Sequence, residues 1–262
     1  MPKKWGQHFL IQQQYVDRLV QAAHISEEDN ILEIGPGRGD LTRALLKKKI
    51  LVTAIEVDSD LVKLLTRHFA GEDRFTLIHQ DILQCENSIL KAIFPNPYKV
   101  VANLPYNISA PIFYKLFEIR RHLKSITVMV QKEVALRICA GVTERKSYGV
   151  LSIAAEIGFE RTLVSSIPPS AFSPPPKVES AIVHLTPKPR VFSGEEEPLF
   201  LKWIQAIFNQ RRKTLLNNLQ RCSPDAFTMK EARLREKYSQ KRAETLNAHE
   251  LIELFRFMQA AT

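Results

Sequence analysis

Between Asn30 and about Val130, short apolar runs alternate with segments whose hydrophobic residues recur at helical spacing, and few architectures accept that pattern. The runs occupy residues 31–34, 51–57, 75–79, 100–102 and 126–130. Leu61, Leu64, Leu65 and Phe69 keep a helical period between two of them, and Ile112, Leu116 and Ile119 between two others. Strands separated by helices call for a parallel sheet covered by those helices. Right-handed crossovers then give a doubly wound α/β domain whose ligand site lies at the carboxyl ends of the strands.

A further strand at 180–185 closes this region, and Pro187-Lys188-Pro189 with Gly194-Glu195-Glu196-Glu197 reads as a linker. Beyond it, residues 199–219 and 248–258 carry helical patterns with no strand-like run between them. The expected organisation is a Rossmann-like α/β domain over 1–187 and a small all-helical domain over 188–262. A chain of 262 residues has room for both cores.

Hydrophobic content of 45% and charged content of 25% are ordinary for a globular protein. No stretch approaches the roughly 18 apolar residues of a membrane span, and no apolar segment backs the lysines of Met1 to Leu10, so a cytoplasmic location is expected. Cys85, Cys139 and Cys222 are widely separated, with neither disulfide nor zinc-ligand spacing, and no metal is expected. A net charge of +9 favours a polyanionic partner.

Candidate site residues fall at successive strand ends. Gly35, Gly37 and Gly39 in Glu33-Ile34-Gly35-Pro36-Gly37-Arg38-Gly39-Asp40 lie where backbone would pass close to a ligand at the start of a helix. Glu56 ends the second strand, suitably placed to accept both hydroxyls of a ribose. Asp81, just past the third, either accepts an adenine amine or caps a helix. These features leave NAD and S-adenosylmethionine open, although the spacing G-x-G-x-G departs from the dinucleotide fingerprint G-x-G-x-x-G.

The fourth strand ends in Asn103-Leu104-Pro105-Tyr106. The exocyclic amine of adenine is a poor nucleophile because its lone pair is delocalised into the ring. The Asn103 side-chain oxygen and the Leu104 carbonyl, fixed by Pro105, can accept its two N–H bonds and turn the lone pair toward an electrophile. Tyr106 can stack on the base. An ordinary Asn-Pro turn closing a strand is the alternative.

Taken together, several motifs make the chain resemble the rRNA adenine N6,N6-dimethyltransferases, and most of all their bacterial small-subunit members. They are Gly6-Gln7-His8-Phe9-Leu10, the glycine segment, Glu56-Val57-Asp58, Asn103-Leu104-Pro105-Tyr106-Asn107-Ile108-Ser109, Gln131-Lys132-Glu133 and Ser170-Ala171-Phe172-Ser173-Pro174-Pro175-Pro176-Lys177-Val178. The resemblance implies a class I S-adenosylmethionine-dependent methyltransferase fold, with the cofactor held by His8, Leu10, Gly35, Gly37, Glu56, Asp81 and Asn103. His8 stands where much of the family carries Asn. Phe172 would stack on the base opposite Tyr106. The implied reaction is dimethylation of two adjacent adenosines in the 3′-terminal hairpin of 16S rRNA within an assembling 30S subunit, by a monomer.

Arg211, Arg212 and Lys213 fall within the expected helix 199–219, on one turn, and are candidates for phosphate contact. From Lys188 onward the chain carries 14 Lys and Arg against 9 Asp and Glu. Residues 144–149 add a basic loop, expected at the pocket mouth. The competing functions are a large-subunit rRNA adenine methyltransferase and a non-catalytic ribosome-assembly factor.

Overall fold

The computed structural model describes residues 8–260 except Gly194, so Gly6 and Gln7 of the first motif and Gly194 of the linker lie outside the described residues. In chain order the strands are β1 (Phe9–Leu10), β2 (Asn30–Ile34), β3 (Leu51–Glu56), β4 (Phe75–His79), β5 (Tyr98–Asn103), β6 (Leu123–Gln131), β7 (Phe159–Ile167), β8 (Phe172–Ser173) and β9 (Ser180–Pro187). The first unit's helices are α1 (Gln13–Ala22), α2 (Asp40–Leu46), α3 (Ser59–His68), α4 (Asn87–Ile93) and α5 (Ser109–Ile119), followed by α6 (Lys132–Cys139). Then come α7 (Val150–Gly158), α8 (Glu196–Phe208), α9 (Leu215–Cys222), α10 (Pro224–Tyr238) and α11 (Ala248–Gln259).

Seven strands form one sheet in the order β4-β3-β2-β5-β6-β9-β7. The five strands from β4 to β6 are parallel, and β9 and β7 add antiparallel pairings. The order reverses direction between β2 and β5, and there the carboxyl ends of adjacent strands open a crevice. Every expected apolar run is a strand. The residues of β2, β3, β5, β6 and β9 are mostly buried, on both faces, as Ile31, Leu32, Val100 and Val101 at 0% exposure illustrate, whereas none of edge strand β4 is.

The chain divides into two compact units, 1–136 with 159–187 and 137–158 with 188–262. Residues 137–158, expected in the first domain, thus group with the helical segment. The reason lies in α7, whose sequence is almost wholly apolar and whose residues are nearly all buried. Aromatic contacts build the second unit's core, with Phe200 5.4 Å from Phe255 and Trp203 5.5 Å from Phe255.

Candidate active site

In the first unit, the ends of β2, β3 and β5 and the turn after β4 line one cavity. Gly35, Glu56, Asp81 and Asn103 all reach it, as do His8 and Leu10 of the N-terminal segment. The glycine loop takes its shape from three left-handed residues. Gly35 has φ +67, Gly37 φ +60 and Gly39 φ +86, conformations that L side chains rarely adopt. A Cβ on Gly39 would also lie 2.7 Å from the Phe69 ring, so α2 and α3 pack closely only because none is present.

Glu56 ties this loop to the next one. Its Oε1 accepts from the backbone N–H of Val57 at 2.9 Å and Asp58 at 3.0 Å, and its Oε2 from that of Gly37 at 3.3 Å. Burial raises the Glu56 pKa, and these backbone donors oppose the rise. Asp81 caps no helix: its Oδ1 accepts from Leu83 N–H at 2.9 Å within a turn over 82–84, and the residue lines the cavity. Pro105 meets the glycine loop from the other side, 3.9 Å from where a Gly35 Cβ would stand. The tetrapeptide and the glycine loop are therefore neighbours.

Asn103 pairs in register with Met129 of β6, and the Met129 carbonyl accepts the Leu104 N–H at 3.0 Å. The turn that follows is closed by Ile108 N–H to the Pro105 carbonyl at 3.3 Å. Tyr106 shares a hydrogen bond with Ser180 Oγ, and burial pushes its phenol pKa up, so the hydroxyl keeps its proton. His8 stacks on the Tyr106 ring with centroids 5.4 Å apart and planes at 28°. Its Nδ1 lies 2.8 Å from the Pro174 carbonyl, which can only accept, so Nδ1 carries a proton and donates it there.

Glu33 was not assigned a role from sequence. It is 1% exposed and lines the cavity; Oε2 accepts from Thr42 Oγ1 at 2.7 Å, while Oε1 is buried with no hydrogen-bond partner. Burial, with repulsion from Glu56 and Asp40, pushes its pKa to about 8 against the Thr42 bond. The signal was a carboxylate inside a run otherwise apolar on both faces, two residues before the first glycine. Among the described residues, Glu33, Asp40, Glu56 and Asp81 set four acidic side chains around the cavity against one guanidinium, that of Arg38.

The sequence from residue 1 to 259 matches the family described as ribosomal RNA adenine dimethylase. The chain belongs to that family. It is 40% identical over 256 residues to the probable ribosomal RNA small subunit methyltransferase A of Methanococcoides burtonii, covering 96% of this chain and 91% of that one. The ribosomal RNA small subunit methyltransferase A of Bacillus pumilus is 42% identical over 228 residues, 85% of this chain and 77% of the relative. Among solved structures, a dimethyladenosine transferase from Plasmodium falciparum superposes with a TM-score of 0.74 at 28% identity, covering 94% of this chain and 96% of its own. The 23S rRNA methyltransferase ErmE shares the fold, with a TM-score of 0.70 at 23% identity over 96% and 100% of the two chains.

Two expectations for this adenine dimethylase family member need correction. Phe172 is 2% exposed, pairs with Leu10 through β8 and β1, and sits in the core with Val16, Leu19 and Ile167. It presents no face to the cavity, because the β1–β8 pairing turns it into the core. Arg211, Arg212 and Lys213 are not on a helix: α8 ends at Phe208, and Thr214 caps α9 by accepting from Asn217 N–H at 3.4 Å. Within the second unit, Arg211 is held by Glu244 at 3.2 Å and by the carbonyls of Arg145 at 2.6 Å and Tyr148 at 3.1 Å. That arginine staples the 144–149 loop. Arg212 and Lys213 are exposed, with no side-chain hydrogen bond or ion pair among the described residues.

Proposed function

We propose that this protein dimethylates N6 of two adjacent adenosines in the 3′-terminal hairpin of 16S rRNA, with S-adenosylmethionine as methyl donor, and that it acts on the assembling 30S subunit in the cytoplasm. Family membership and the Asn103-Leu104-Pro105-Tyr106 turn beside a nucleoside-sized cavity support the reaction. One observation carries the choice of cofactor. A cavity with four acidic side chains and, among the described residues, one guanidinium suits a ligand bearing an ammonium and a sulfonium, and repels the pyrophosphate of NAD.

The residues present fit such a cofactor. Glu33 Oε1, buried without a partner, is the acceptor for an ammonium group. Glu56 and Asp81 each keep acceptor capacity for ribose hydroxyls and an adenine amine, and Gly35 and Gly37 let backbone approach closely. When bound, S-adenosylmethionine supplies an electrophilic methyl group. Asn103 Oδ1 and the Leu104 carbonyl accept the target amine's N–H bonds, localise its lone pair and aim it in line. Tyr106 stacks on the flipped base, a role that falls to it alone because Phe172 is in the core. No general base is required: the proton leaves once the nitrogen has become cationic.

Labelled methyl transfer to unmodified small subunits, large subunits and DNA tests the reading, with nucleoside analysis and Asn103→Ala as control. N6,N6-dimethyladenosine in small subunits alone, abolished by Asn103→Ala with cofactor binding retained, is the expected result. Product in large subunits instead would reassign the substrate. No product despite cofactor binding would leave a non-catalytic assembly role.

A further inference from the structure

Ser180 opens β9, is fully buried, and its Oγ shares a hydrogen bond with the Tyr106 hydroxyl. Its backbone has little latitude. Register pairs it with Gln131 of β6 on one side and Ile167 of β7 on the other. The preceding residue is tied as well, since the Glu179 carbonyl accepts from Lys132 N–H at 2.9 Å and its carboxylate meets Lys132 Nζ at 2.6 Å. The Gln131-Lys132-Glu133 motif thereby braces the start of β9.

The backbone of Tyr106 is held by a separate set of bonds, in the turn after β5 and from Ser109 Oγ to the Tyr106 carbonyl at 3.2 Å. Those bonds fix where the side chain begins and leave its two torsions open. The phenol–serine bond fixes the ring at its far end. With His8 against one face, Tyr106 has a single face left for a planar ligand.

We propose that Ser180 is a positioning residue for the target base, holding the Tyr106 ring in the plane on which the adenine stacks. The inference rests on the adenine methyl transfer proposed above. A ring ordered during folding has no rotamer freedom left to lose when the base arrives, so the cost of ordering is removed from the binding step. Ser180 touches neither substrate nor cofactor and acts through Tyr106.

The test compares Ser180→Ala, Tyr106→Phe and the double variant. The first readout is methyl transfer to unmodified small subunits, with KM for subunits and for S-adenosylmethionine measured separately. Each single variant removes the same bond. Each should therefore raise KM for subunits by about three- to tenfold, leave KM for the cofactor unchanged, and match the double variant. Additive losses, an unaltered Ser180→Ala, or a loss confined to stability would overturn the proposal. The second readout needs no turnover: quenching of 2-aminopurine in a single-stranded oligonucleotide reports stacking directly. Weaker quenching by Ser180→Ala supports the proposal even if the wild type transfers no methyl, a result that would overturn the reaction alone. Equal quenching by both proteins, or none by either, would overturn the positioning role.

Discussion

Thr42 Oγ1 donates to Glu33 Oε2 at 2.7 Å, and nothing among the described residues donates to Glu33 Oε1. The carboxyl has its pKa raised to about 8, so the folded chain keeps a proton that the unfolded chain has lost. Stability of the cofactor-free protein therefore falls as pH rises from the ordinary carboxylate range to about 8, by at most about 1.4 kcal/mol per pH unit. Glu33→Gln should flatten that slope, measured as urea midpoints between about pH 5 and pH 9. A cationic ligand reverses the preference, so cofactor affinity of the wild type should rise over the same window while that of Glu33→Gln stays level.

The three clustered cations should separate into two roles. Arg211→Ala should lower the unfolding midpoint, because it frees the carbonyls of Arg145 and Tyr148 and leaves Glu244 unpaired. Joint replacement of Arg212 and Lys213 by Ala should leave stability unchanged and reduce the slope of log affinity for RNA against log salt by up to about two. Salt titrations of RNA binding beside thermal unfolding of each variant check both statements.

At the amino edge of the sheet, Asp29 accepts from Lys99 of β5 at 2.8 Å, Lys124 of β6 at 2.9 Å, and both the amide and hydroxyl of Ser26. Burial works to raise its pKa, but these four donors outweigh it and hold the carboxyl well below its ordinary value of 3.8. A depressed pKa contributes stability above that value and loses it as pH falls below. Asp29→Asn should cost about 2 kcal/mol at neutral pH and progressively less below about pH 4, read from denaturant unfolding at several pH values.

In the second unit Lys230 takes the place of solvent at the end of α11. Its buried Nζ donates to the carbonyls of Phe257 at 2.6 Å and Ala260 at 2.7 Å. A cation there also opposes the negative end of the helix dipole. Lys230→Met should cost about 2 to 3 kcal/mol and speed amide exchange at the end of α11, without altering cofactor affinity.

The strands that build the crevice were legible because burial on both faces leaves an uninterrupted apolar run. Strand β7 was not: it lies at the sheet's edge, much of Phe159–Ile167 is exposed, and a bulge between Leu163 and Ser165 breaks its alternation. Helix α10 was not legible either, since charged residues surround its narrow stripe of buried Phe227, Leu234 and Tyr238. Thr214 was the available sign that residues 209–214 form a turn. The site's acids at strand ends were legible from position, whereas the burial of Phe172 and the stapling role of Arg211 depend on partners distant in sequence.

The carboxylate-lined cavity has an interior sign opposite to that of a chain carrying a net charge of +9. RNA drawn toward the cationic exterior by its phosphates would meet like charge at the cavity floor, while an uncharged purine meets none. Under the proposed reaction the cavity would act as a depth stop, admitting the base and holding back the backbone that delivered it, so that electrostatics as well as shape sets how far a nucleotide enters.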